Sequence, residues 1–184
     1  MSPRTVAILV AALLLAGCAS YPASWGRPLL GNSGECPKVN GVFRTQGEFR
    51  HRSDANLAMD LLVGRIGIDD RTWLAMKSVE IEIRMPDSGT VSIRASLPDG
   101  SLAGEFTLAR EKKEFACEDG FLAVRRGLVA FGEGDAARSN DTFFLATSDD
   151  GFLIVKHFVS GSGVLAGESL NNWGYGWSRY PPVN

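Results

Sequence analysis

The chain has 184 residues, 19 Lys+Arg against 21 Asp+Glu, a formal net charge of −2, and a 45% hydrophobic content. Near-balance without a basic stretch argues against nucleic acid as a partner and against adhesion to anionic membranes by charge alone. The length suits one domain with a real core.

The first eighteen residues have a distinct order. Met1–Thr5 is short and polar with Arg4, Val6–Leu15 is an unbroken apolar run, and Ala16 and Gly17 are small residues ahead of Cys18. A spanning helix needs about 20 apolar residues, roughly twice this run, and Tyr21, Pro22 and Arg27 prevent its extension. The segment Leu15-Ala16-Gly17-Cys18 resembles the lipobox of bacterial lipoproteins cut by the lipoprotein signal peptidase. That resemblance implies a diacylglycerol on the Cys18 thiol, cleavage just before it, and acylation of the new amine. Each buried methylene adds about 0.8 kcal/mol, so two or more chains anchor durably where one does not. It also implies the outer membrane with the domain facing the periplasm, because Ala19 stands where an Asp would retain such proteins at the inner membrane. The alternative is an ordinary secretory signal cut near Gly17 or Ala19, with Cys18 incidental.

Beyond Cys18 the chain has two cysteines, Cys36 and Cys117. In an oxidising compartment the pair predicts a disulfide closing a long loop. Metal binding is the poorer reading, since His51 and His157 lie far from the cysteines and from each other in sequence.

Three segments follow: a signal over 1–17, a lipidated tether over 18–35, and one β-rich domain over 36–184. Ala19–Gly34 is broken by Pro and Gly and has no apolar period, as a tether would be. Trp25 within it is placed either at lipid headgroups or on the domain. Val39–Thr45 reads as a first strand. Cys36-Pro37-x-x-x-Gly41-x-Phe43 resembles the domain start of many small proteobacterial lipoproteins of unassigned function, and the Gly-x-aromatic also resembles the first strand of some calycin-like barrels. Neither resemblance carries chemistry. Ser53-Asp54 caps a predicted short helix, Ala55 to about Val63, that plugs one end of the core.

From Val79 the apolar period becomes two. Val79, Ile81, Ile83 and Met85, then Val91, Ile93, Ala95 and Leu97, then Leu102, Gly104, Phe106 and Leu108 alternate with polar residues, with turns at Pro86–Gly89 and Pro98–Ser101. The second half has longer apolar runs, at Phe121–Val124, Thr142–Thr147 and Phe152–Phe158. Its turns are predicted at Glu118–Gly120, Ser148–Gly151 and Ser160–Gly163. Leu128–Phe131 is a brief strand and Gly132–Asn140 a polar loop. The stretches around Asp119-Gly120 and Asp150-Gly151 look like two similar hairpins. Trp173–Tyr180 is an aromatic strand that closes the sheet. Eight to ten strands and one helix predict an all-β antiparallel meander, a closed or partly closed calycin-like barrel. The lack of crossover helices excludes a parallel α/β sheet.

Little in the chain points to catalysis. Gly161-x-Gly163-x-x-Ala166 lacks the βαβ context of a dinucleotide site. Neither histidine sits in a nucleophile motif, and His157 lies inside a strand. The Asp-Gly turns lack the alternating ligands of a calcium loop. No catalytic residue, metal ligand or cofactor is assigned. Trp173, Tyr175, Trp177 and Tyr180 form the candidate binding surface, because Trp and Tyr join apolar area to a polar edge. The expected role is a membrane-anchored binding or structural module of the envelope. The alternatives are a carrier of an apolar ligand in the barrel interior and, behind it, a hydrolase.

Overall fold

A computed structural model describes residues 20–49, 80–130, 138–165 and 168–183. Among them are eleven strands and no helix. The predicted helix at 55–63, His51 and Cys18 lie outside the described residues.

The strands are β1 Pro28–Leu29, β2 Gly41–Arg44, β3 Glu48–Phe49, β4 Glu80–Asp87, β5 Thr90–Ser96, β6 Leu102–Ala109, β7 Phe115–Glu118, β8 Phe121–Ala130, β9 Arg138–Ser148, β10 Leu153–Leu165 and β11 Glu168–Tyr180. The smaller sheet has the order β2-β4-β5-β6. The larger has the order β3-β11-β10-β9-β8-β7, with β1 beside β9. Every pairing is antiparallel.

The turns follow from their residues. Asp119 and Gly120 both have positive φ, 52° and 79°, and Glu118 pairs with Phe121, giving a two-residue hairpin. Gly100 and Gly151 occupy the same left-handed region at 82° and 86°, each ending a three-residue loop closed by Leu97 N–H to Ser101 C=O and by Ser148 N–H to Phe152 C=O. The two look-alike segments are both hairpins, β7–β8 and β9–β10, with loops of different length.

The smaller sheet has one dry and one wet face. Ile81, Ile83, Val91, Ile93 and Ala95 are fully buried, while Glu82, Arg94 and Glu105 face one another across the outer surface. Leu102 is exposed, because the register shifts between Ala95 and Ser96 and sets it opposite Ser96, on the outer face of the edge strand β6. Inward residues of the larger sheet, among them Leu122, Val124, Phe143, Leu145, Leu153 and Val155, join those of the smaller in a single hydrophobic cluster. Each such side chain contributes about 1.5–3 kcal/mol by leaving water.

The two sheets meet at a corner. β2 pairs with β4 on one side, and on the other it meets the residues just after β11: Arg44 N–H donates to Pro181 C=O and Val183 N–H to Val42 C=O. The chain then bends through Gly47 into β3, which pairs with β11. Gly47 is needed there, since a Cβ would press on the Arg179 carbonyl and the Tyr180 ring. Among the described residues neither sheet closes on itself, so the fully closed barrel allowed by the periodicity is not seen there. Among the described residues β6 and β7 belong to different sheets and are joined by the turn at 109–114. The residues before β2 reach β7 instead, through Gly31 N–H to Gly120 C=O and the Cys36–Cys117 disulfide.

Two sequence expectations change. The glycines at 161 and 163 do not turn the chain: β10 and β11 pair without a break from Leu153 opposite Tyr180 to Leu165 opposite Glu168. Ladder bonds on both sides of β10 as far as Ser162 outweigh the weak strand preference of glycine. Likewise β8 runs through to Ala130, absorbing the brief strand at 128–131 with a register shift after Arg126.

Candidate binding surface

The larger sheet is buried on both faces at one end. Its outer positions include Ala123, Ala146 and Ile154, all at 0% exposure, and Phe121 at 7%. This explains the unbroken runs Phe121–Val124 and Leu153–Val155, because a strand covered on both sides has no wet alternate positions.

The cover is the segment read from sequence as a tether. Tyr21 lays its ring edge-on to Trp177, with centroids 5.0 Å apart, and Trp25 meets Tyr21 at 5.9 Å. Phe121 completes the cluster against Trp177 and Phe144. β1 then adds to β9, with Leu29 opposite Thr147. Beyond it, the chain passes the β7–β8 turn and the disulfide before sending Val39 into the core. Thus it wraps the exposed edge of β7, a protection that a short edge strand needs.

Two cations are set among these rings. Lys156 lies opposite Phe144 on β9 and Trp177 on β11, and its ammonium sits 5.4 and 5.7 Å from their centroids. A cation so placed is attracted by the negative faces of the rings. Arg179 stacks on Phe152 at 4.7 Å and on Trp25 at 5.4 Å, and holds Glu48 with two parallel 3.0 Å bonds.

Acidic residues close the end of the cluster. Asp149 accepts the Arg27 N–H at 2.8 Å and returns its own N–H to the Arg27 carbonyl. Asp150 accepts the Ser148 hydroxyl and lies 3.9 Å from Arg179 Nη1. Gly26 passes so close to both acids that a Cβ would fall 2.7 Å from Asp149 Oδ1 and closer still to Asp150. The Tyr21 hydroxyl donates to the Gly26 carbonyl. Burial, reinforced by the Asp150 charge against the opposing pull of Arg179, pushes the Tyr21 phenol up to about 12.

Of the four aromatics singled out in the sequence, Trp177 belongs to this surface. Tyr180 does not: it is fully buried in the core, three positions on and therefore on the opposite face of the strand. Trp173 and Tyr175 stand in β11 opposite Ser160 and Phe158, at the same parity as Trp177. Tyr21, Phe121, Phe144, Lys156 and Arg179 join it here without a motif in the sequence to mark them.

His157 points inward with Leu153 and Val155 and stacks on Phe143, centroids 4.3 Å apart and planes within 16°. A polar-rimmed groove of about 560 Å³ lies beside the disulfide, between Glu35, Lys38, Met85, Asp87 and Arg110. Among the described residues no group of three or more His, Cys, Asp or Glu is placed to hold a metal ion. The outer surface offers aromatic faces, cations set among them and two adjacent acids, an arrangement suited to contact. No family model, curated protein or solved structure matches this chain.

Proposed function

We propose that this protein is a lipoprotein of the bacterial outer membrane, anchored by acyl chains on Cys18, whose periplasmic domain acts by binding or bracing and not by catalysis. The observation that carries the reading is Cys18 itself. It completes the Leu15-Ala16-Gly17-Cys18 lipobox, and it is the cysteine left over once Cys36 and Cys117 have joined. A disulfide fits an exported domain. The meander, sealed at the Arg44–Pro181 corner and open between β6 and β7, supports a partly closed, calycin-like barrel.

A carrier needs an apolar cavity of a few hundred Å³. Here Phe43, Phe115, Phe143 and Tyr180, each almost wholly buried, pack into the one cluster that the two sheets share, and the groove lies outside that core beside the disulfide. The packed interior favours the binding or structural role.

The experiment is metabolic labelling with palmitate. Wild-type protein takes the label and is shortened by its signal; Cys18→Ala accumulates as an unlabelled precursor. Label entering Cys18→Ala, or a native chain that begins at Met1, overturns the reading.

A further inference from the structure

We infer that the segment carrying Tyr21, Trp25, Leu29 and Leu30 lies directly on the bilayer, at headgroup level, while the charged face of the smaller sheet looks into the periplasm. This rests on the proposed acylation of Cys18.

Reach sets the distance between domain and anchor. Three peptide steps separate Cys18 from Tyr21, and a fully extended chain covers at most about 3.6 Å per step. The Tyr21 backbone is therefore within roughly 11 Å of the lipidated residue. Tyr21 is not a point on a swinging tether. Its ring packs on Trp177, its hydroxyl bonds Gly26, and the chain after it is held by β1, by Gly120 and by the disulfide. A body fixed so close to its anchor has no slack with which to leave the surface.

The exposed chemistry agrees with the reach. Leu29 and Leu30 are consecutive and each 51% exposed, on the segment that also carries Tyr21 and Trp25. Leucine next to Trp and Tyr is the composition of a membrane interface, where amphipathic rings settle at the headgroups. Nearby charges balance in sign: Arg27, Lys156 and Arg179 against Glu48, Asp149 and Asp150. The contact is thus interfacial and apolar, and it does not require anionic lipid. The smaller sheet, across the core, presents Glu82, Arg84, Arg94 and Glu105 and suits water.

The test uses full-length lipidated protein in phosphatidylcholine vesicles containing a lipid spin-labelled near the headgroup. Leu30→Cys and, separately, Ser24→Cys supply one free thiol each for a fluorophore, and Ser101→Cys in the 97–101 turn of the smaller sheet is the reference. All three sites are exposed, and mass analysis without reductant checks that Cys36–Cys117 stays closed. The expected result is several-fold stronger quenching at 24 and 30 than at 101, unchanged when part of the phosphatidylcholine is replaced by phosphatidylglycerol. Equal weak quenching at all three sites, in a chain whose mass includes the lipid and which floats with the vesicles, overturns the apposition and leaves the anchor standing. Contact that appears only with phosphatidylglycerol also overturns it. A chain with no lipid mass that does not float removes the anchor, and the apposition with it.

Discussion

Tyr21 meets Trp177 edge to face, with 5.0 Å between ring centroids and 79° between planes. The contact turns an apparently structureless leader into part of the domain. Tyr21 is also a titrating reporter of that docking, because the docked phenol ionises at about 12 against an ordinary 10.0. A raised acid pKa means the folded state favours the neutral form. The associated stability is whole below pH 10 and is lost as pH rises towards about 12. Tyr21→Phe should therefore be less stable than wild type near neutrality, by about 1 kcal/mol for the lost hydrogen bond. The gap should shrink through that alkaline window. Urea midpoints across pH 8–12 check it; a constant gap would contradict the docked phenol.

Three glycines give a graded prediction. Gly47→Ala meets the Arg179 carbonyl and Tyr180 ring, both part of the fixed frame, and should cost about 1–3 kcal/mol, as overpacking does. Gly26→Ala meets carboxylate ends that can swing away, so its cost should be smaller and should fall on the docked segment, seen as faster protease cleavage near residue 26. Gly176→Ala meets nothing within 4 Å and should be neutral, or more stable by about 0.5–1 kcal/mol through lost chain entropy. Thermal melts of the three variants rank them.

The smaller sheet was legible in its sequence, because one wet face leaves a strict alternation from Ile81 to Met85 and from Val91 to Leu97. So were the hairpin turns at Asp119-Gly120 and before Phe152, since Asp119, Gly120 and Gly151 supply the left-handed residues that hairpins need. The outer surface was not. Its cover, Tyr21-Pro-Ala-Ser-Trp-Gly-Arg-Pro28, has no period, because it docks through a few ring contacts and backbone bonds instead of a repeated apolar face. The runs at Phe121–Val124 and Leu153–Val155 did mark a sheet covered on both sides, but nothing local named the cover. Tyr180 was grouped with Trp177 by proximity in sequence, where strand parity already separated them. The glycines at 161 and 163 read as a turn because ladder partners on both sides are invisible in one strand's sequence.

Arg179 should matter more for its stacking and its twin bonds than for its charge. Its side chain is 18% exposed and that of Glu48 59%, so the ion pair alone is worth under about 1 kcal/mol. Arg179→Lys keeps the charge but loses the fork that grips Glu48 and the flat face set on Trp25 and Phe152. It should cost nearly as much as Arg179→Ala, about 1–2 kcal/mol, with Glu48→Gln costing less than either. A double-mutant cycle on 48 and 179 checks this: a coupling energy accounting for the whole Arg179→Ala loss would mean that stacking adds nothing.

The disulfide makes the largest prediction. It joins residues 81 apart in sequence, and in the chain-entropy account a loop of that length stabilises the fold by about 4–5 kcal/mol. It also fixes the chain between the docked leader and β2, so its loss should be felt at both. Cys36→Ser with Cys117→Ser should lower the unfolding free energy by several kcal/mol and should expose β7, whose edge that chain wraps. Hydrogen exchange separates the two effects: amides of β7 and of residues 28–31 should lose protection first, while those of β4 and β5 follow only the global loss. Uniform loss across both sheets would mean that the bridge acts on the unfolded chain alone and does not hold the leader in place.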